Sequence, residues 1–167
     1  HIPLVMMGYL NPIMQFGFEN FCSECKKVGV DGMIIPDLPM DVYLSEYREI
    51  VEKNGLDFIF LITPEISEER IHQIDEHTHG FIYMVSSAGV TGTQNSFDHH
   101  IDYFNRINSM HLKNPRLIGF GISNKLTRET ASRYSSGVII GSAFIKALQE
   151  SSDVESAVKF LIKKLKE

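Results

Sequence analysis

A parallel α/β architecture of the (β/α)8-barrel kind, with about six of its βα units present as strands three to eight, is what three features of the sequence predict. Short apolar runs alternate with longer amphipathic segments, the pattern of repeated βα units around a parallel sheet. The runs are apolar nearly throughout instead of alternating with polar residues, which suits strands covered on both faces. The last two runs each leave through a glycine-bearing turn into a helical segment.

The strand runs are 3–7, 33–35, 58–62, 81–85, 117–120 and 138–140. Between the first two, Phe18, Phe21, Cys22, Cys25 and Val28 recur at helical spacing and predict a helix over 18–27, stopped by Gly29. Val42, Tyr43, Tyr47, Ile50 and Val51 predict another over 42–53, ending at Asn54-Gly55. Ser67 caps a helix whose first turn holds Glu68 and Glu69, where negative charge favours the dipole. Ser96 plays the same part for 97–108. Ser123 opens a helix with Leu126, Thr130 and Tyr134 on one stripe. A capping box, Ser152-x-x-Glu155, starts the last helix, striped by Val154, Ala157, Val158, Leu161, Ile162 and Leu165.

No linker or low-complexity tract interrupts residues 1–167, so they read as a single partial barrel domain. A full barrel takes about 250 residues, about 31 per unit, and six units roughly 190. Compact loops bring that down to the 167 residues present. The chain opens on His1-Ile2-Pro3 and runs at once into the apolar Leu4-Val5-Met6-Met7. This reads as a fragment that lacks its first βα units. Six strands leave two open edges, which invite foreign pairing, so the expectation is a chain unstable alone or the ordered part of a longer protein.

A formal net charge of −5 argues against non-specific nucleic-acid binding, which needs basic stripes. No apolar run approaches the roughly 18 residues that span a bilayer. Two cysteines and seven methionines suit a reducing cytosol, and the expected location is cytoplasmic. Cys22-x-x-Cys25 has the spacing of a redox or zinc half-motif, but both residues fall on the apolar side of one helix with no second pair, so they read as core cysteines. The histidines form no HExxH pattern and read as solvated. The lysine-rich end, Lys159, Lys163, Lys164 and Lys166, faces Glu155 and Glu167 as the polar side of the last helix. No metal site is expected.

Active sites of such barrels lie at the C-terminal ends of the strands. After the first run comes Gly8-Tyr9-Leu10-Asn11-Pro12, and after the second Pro36-Asp37-Leu38-Pro39. Asp37 sits between two prolines on a stiff loop. It either braces a turn or supports the site directly. After the fourth run, Ser86-Ser87-Ala88-Gly89-Val90-Thr91-Gly92-Thr93 suits either a lid over a ligand or a plain connector. Gly119-Phe120-Gly121-Ile122-Ser123 and Gly141-Ser142-Ala143 are the sharper pair. Glycine lets backbone approach a ligand, and helix N-termini offer free N–H groups to an anion. Two such turns on consecutive final strands match the phosphate site formed after strands seven and eight of these barrels.

Six ordered segments resemble the tryptophan synthase α subunit family. They are Met7-Gly8-Tyr9-Leu10-Asn11-Pro12, Gly29-Val30-Asp31-Gly32, Ile35-Pro36-Asp37-Leu38-Pro39, residues 83–92 with Ser-Ser-Ala-Gly-Val-Thr-Gly, Gly119-Phe120-Gly121-Ile122-Ser123, and Gly141-Ser142-Ala143. The resemblance covers the whole chain. It implies cleavage of indole-3-glycerol phosphate to indole and glyceraldehyde 3-phosphate in tryptophan biosynthesis, with no cofactor of its own. The implied partner is a pyridoxal-phosphate-bearing β subunit in an α2β2 complex. By the same resemblance Gly92, Gly121, Gly141 and Ser142 hold the substrate phosphate. Met7, Tyr9, Tyr83 and Phe120 line an indole pocket, and Ser86, Ser87, Gly89 and Thr91 belong to a lid. The family's general-acid/base glutamate lies on a segment with no match here, and neither Glu65 nor Asp37 takes its place. The expectation is therefore no catalytic residue and no meaningful lyase activity in these 167 residues. A non-catalytic phosphate- or partner-binding fragment, or another phosphate-handling barrel isomerase or epimerase, remain the alternatives.

Overall fold

The computed structural model describes residues 2–85, 101–119 and 121–167. Seven short parallel-type strands are found among them, in two sheets ordered β1-β2-β3 and β4-β5-β6-β7. By contacts the chain divides into two compact units, one of residues 1–61 and 67–82, the other of 62–66 and 83–167.

In the first unit, β1 (Val5–Met7) pairs in parallel with β2 (Gly32–Ile34), and β2 with β3 (Asp57–Phe58). β2 is buried throughout, whereas β1, outermost in its sheet, leaves Leu4, Met6 and Met7 about half exposed. The expectation that every apolar run is covered on both faces thus fails at β1. Gly32 sets the approach of β2 to β3, because a Cβ there would lie 2.9 Å from the Asp57 carbonyl oxygen.

The turn after β1 contains a helix beyond those the sequence predicts: α1 (Leu10–Phe16). Asn11 and Pro12 stand in its first turn, where the missing proline N–H costs nothing. α2 (Phe18–Val28) follows and stops as expected at Gly29, which takes φ +80° while Val30 N–H donates to Cys25 O. Cys22 and Cys25 are buried on its inner face and free. Burial first, then Cys25 and Glu19, push the Cys22 thiol up to about 12, so it is an inert core group. Among the described residues no cluster of three His, Cys, Asp or Glu could hold a metal. No described helix is long and apolar enough to cross a membrane.

The helix expected over 42–53 is three joined pieces: α3 (Met40–Val42), a π turn (Tyr43–Tyr47) and α4 (Arg48–Lys53). The π turn seats two tyrosines. Tyr43 is buried and stacks on Phe58 with centroids 4.0 Å apart, and Tyr47 lies 4.2 Å from Phe18. α5 (Glu68–His77) is capped by Ser67, whose hydroxyl accepts from Arg70 N–H.

The apolar run 58–62 is not one strand but β3 and β4 (Leu61–Ile62), parted at Ile59 and Phe60. The break leaves Phe60 N–H needing an acceptor. Buried Thr78 supplies it through Oγ1 at 3.1 Å, and His79 N–H returns to Phe58 O.

The second unit carries β5 (Ile82–Val85, reaching back one residue into the first), α6 (Ile101–Ser109), β6 (Arg116–Gly119), α7 (Lys125–Ser132), β7 (Gly137–Val138), α8 (Ser142–Glu150) and α9 (Val154–Lys166). The expected Ser96 cap, and the start of its helix, lie outside the described residues. α7 is capped by Asn124, not Ser123, and α9 by Asp153, whose carboxylate accepts from Ser156 N–H, not by a Ser152–Glu155 box. Arg128 Nε of α7 donates to Leu165 O, closing the C-terminal end of α9. Glu155 and Glu167 pair with Lys159 and Lys163 one turn away, as expected of a solvated face.

Two measurements test these joints. Thr78→Val should cost about 1–3 kcal/mol in urea unfolding by orphaning a buried N–H, with Thr78→Ser restoring most of it; equal stability of the valine variant would refute the role of Oγ1. Asp41 accepts from both Arg70 terminal nitrogens, at 2.9 and 3.0 Å, and these bonds and the positive charge hold its carboxyl below the usual range. A carboxylate depressed on folding stabilises above its unfolded pKa and loses that contribution as pH falls through the folded value. Asp41→Asn should therefore flatten the stability profile below about pH 4 and leave its shape at neutral pH unchanged.

Candidate functional site

The second unit brings together the features that concern an anion. β6 and β7 are parallel neighbours in the register Leu117↔Gly137 and Ile118↔Val138, with Ile139 N–H continuing the ladder to Ile118 O at 2.8 Å. Their chains therefore emerge side by side at one end of the sheet, about 4.8 Å apart. One continues through Gly121 into α7, the other through Gly141 into α8.

The two turns are built differently. In the first, Gly121 takes φ +76°, a left-handed conformation suited to glycine. Beyond it the amides turn inward: Ser123 N–H and Asn124 N–H both donate to Thr127 Oγ1, at 3.1 and 3.2 Å. Thr127 N–H donates to Asn124 Oδ1 at 2.9 Å, completing a capping box. The far end of segment 119–123 is thus used by the helix cap.

In the second turn Gly141 is the N-cap of α8 and has no side chain to offer. Its carbonyl accepts from Phe144 and Ile145. Ser142 and Ala143, the first two helical residues, have no carbonyl four places back within the helix. Their N–H groups and the positive end of a nine-residue helix are what this turn presents to an anion. Gly141 and Ser142 are exposed, and a Cβ on Gly141 would meet nothing within 4 Å.

Tyr83, on β5, is buried and leans across to β6. A Cβ built on Gly119 would overlap its hydroxyl oxygen and ring. Gly119 is thus required by a ring and not by backbone conformation. Burial raises the phenol, which stays protonated.

Of the other residues singled out from the sequence, Met7 and Tyr9 lie in the first unit, 53% and 68% exposed. Asp37 also lies there, and its carboxylate accepts from Leu10 N–H with both oxygens, at 2.9 and 3.1 Å. It braces the first turn of α1, the plainer of its two readings. Ser86, Ser87, Gly89, Thr91, Gly92 and Phe120 fall outside the described residues. An open cleft of about 660 Å³ in the first unit is lined by Gly17, Phe18, Glu19, Asn20, Ser23, Lys53 and Asn54, none of them a residue the sequence singled out. Thr127 is the site-shaping residue that the sequence reading missed. Asn124-x-x-Thr127 was its signal, overshadowed by the serine one place earlier.

Parallel βα units of this kind are those of a barrel of the TIM class. The tryptophan synthase alpha chain family model matches residues 1–167. The chain is 58% identical to the tryptophan synthase alpha chain of Parabacteroides distasonis over 167 residues, 99% of this chain and 65% of that one. It is 59% identical to that of Phocaeicola vulgatus, with the same coverage. Among solved structures, the tryptophan synthase α subunit of Pyrococcus furiosus gives a TM-score of 0.78 at 35% identity, over 99% of this chain and 65% of the other. A chain from the α2β2 complex of the same organism gives 0.80 at 34% identity, over 99% and 66%. The chain belongs to the tryptophan synthase alpha chain family, a lyase family, and its fold is a partial TIM barrel. It spans about 65% of the length of the relatives it matches.

Gly119→Ala should destabilise the chain by about 1–3 kcal/mol, the usual range for overpacking. Adding Tyr83→Ala should remove most of the clash, so that the double variant loses less than the sum of the two single losses. Strict additivity in urea unfolding would show that the two positions are independent.

Proposed function

We propose that this chain supplies the phosphate-binding portion of an enzyme that cleaves indole-3-glycerol phosphate to indole and glyceraldehyde 3-phosphate, in tryptophan biosynthesis. The observation that carries the reading is the pair of turns on adjacent parallel strands, one opened by left-handed Gly121 and the other by uncapped Gly141 at the start of α8. The phosphate sits against the Ser142 and Ala143 N–H groups and the Gly121 turn. Tyr83, one strand away, stands on the side where the indole lies. Gly92 and the lid, whose role comes from the family resemblance, would complete the enclosure.

Carbon–carbon cleavage here requires protonation of the indole ring carbon and removal of a hydroxyl proton, work for carboxylic acid and carboxylate groups. The family's acid/base glutamate has no counterpart among these residues. The chain's own part is to bind and orient. No cofactor is needed for this reaction; pyridoxal phosphate belongs to a β subunit, with which the α chain would assemble as α2β2 in the cytoplasm. Membership of a family whose solved structures include such a complex supports the partner.

Titration with inorganic phosphate tests the cradle. Ser142→Asp puts a carboxylate at the first position of α8, where it favours the helix dipole and competes with an anion. Phosphate affinity should fall at least tenfold with stability unchanged or raised; unchanged affinity would rule out α8 as the phosphate anchor. The 167-residue chain should release no measurable indole from indole-3-glycerol phosphate. Turnover near that of a full-length relative would overturn the division of labour described above.

A further inference from the structure

Helix α6 holds the loop after β4 in an unusual way. Three alternate backbone carbonyls of that loop accept from its side chains. Tyr103 Oη donates to Ile62 O at 3.1 Å, Arg106 Nη2 to Pro64 O at 2.8 Å, and Arg106 Nη1 to Ile66 O at 3.0 Å. Tyr103 and Arg106 are three residues apart and so share one face of α6. The guanidinium also lies 5.9 Å from the Tyr103 ring centroid, which helps to fix it. The loop is thus strapped to the helix along its carbonyl side, and Glu65, between the two carbonyls that Arg106 takes, is left exposed.

The loop's place in the sheet gives the strap a use. β4 lies beside β5, which carries Tyr83, and β5 lies beside β6. Across the sheet the order is therefore loop 63–66, the strand that carries Tyr83, then the two glycine turns. At about 4.8 Å per strand the loop stands about 12 Å from the midpoint of those turns. An indole ring on a three-carbon phosphate chain spans a reach of that order. An alkyl ammonium gathers its three donors on one freely rotating nitrogen, whereas the planar fork of Arg106 spans two carbonyls with fixed geometry.

We propose that Arg106, together with Tyr103, is a positioning residue that fixes the loop after β4 as the wall of the site's aromatic end. This rests on the phosphate-and-indole reading given under the preceding heading. Arg106 touches no reacting atom. It sets where the loop stands, and so it governs affinity for the ring end of the ligand and not for its phosphate.

Arg106→Met and Arg106→Lys, made in the whole chain, test this by two readouts. The first is amide exchange. In Arg106→Met, exchange at Thr63, Glu65 and Ile66 should quicken at least tenfold while buried Phe104 and Ile118 exchange as before. The second is a split between probes. Affinity for indole-3-propanol phosphate should fall at least tenfold in Arg106→Met, with inorganic phosphate changed less than twofold and Arg106→Lys falling between. Parallel loss of both probes would mark a merely structural residue, and loss of neither would remove the proposed wall; either overturns the inference. If the unaltered chain binds neither probe, the reading of the site itself falls. The strap is then judged on exchange alone, and unchanged loop exchange in Arg106→Met overturns it as well.

Discussion

The parallel register of β6 on β7 is the constraint from which the candidate site follows. Leu117 faces Gly137 and Ile118 faces Val138, so both strands end level and release their turns next to one another. At Gly137 a Cβ would stand 2.9 Å from Leu117 Cδ2, the end of a side chain that can turn aside. A slip of one residue would turn each side chain to the opposite face of the sheet and move Gly141 out of step with Gly121. Gly119 adds a second demand, since Tyr83 occupies the space a side chain would need. Two glycines at this end of the sheet therefore answer to different causes: Gly119 to a neighbouring ring, and Gly121 to a left-handed turn.

Much of the architecture could be read in the residues because burial leaves a plain record. Runs such as 81–85 and 117–119 are apolar throughout since both faces are covered, and Ile82, Met84 and Ile118 prove fully buried. Ser67 and Gly29 were legible because a cap needs one residue type at one place. What stayed hidden depends on partners distant in sequence. The division of 58–62 into two strands turns on Thr78, 18 residues beyond Phe60. The π turn at Tyr43–Tyr47 answers to Phe58 and Phe18, which no local pattern announces. The caps at Asn124 and Asp153 show a narrower difficulty. Ser123-Asn124 and Ser152-Asp153 each offer two competent cap residues in succession, and the choice between them is made by which side chain reaches the amide three places on.

The site shows the same limit in chemical form. Composition singled out both glycine turns, and the structure places them on neighbouring strands. The sequence could not say that Thr127 Oγ1 would take two amides of the first turn. The consequence is an uneven cradle. α8 begins with no side-chain cap, while α7 is closed by the Asn124–Thr127 capping box. On the proposed reading, an anion would be held chiefly by one helix terminus, with Gly121 shaping the approach from the other side.

Asp37 in the first unit and Arg106 in the second each fix a loop beside a strand. Both spend charged groups on backbone: a carboxylate on the Leu10 N–H in the first unit, a guanidinium on the Pro64 and Ile66 carbonyls in the second. A loop that exposes its backbone to water has no single resting place. One whose amide or carbonyls are tied by a charged side chain has a position that the ligand need not select, and the ordering cost is met in folding before the ligand arrives. Charged residues beside the strand ends are easily taken for catalytic groups when only the sequence is in view. Here their hydrogen bonds give them a different task, that of fixing one loop each within their own units.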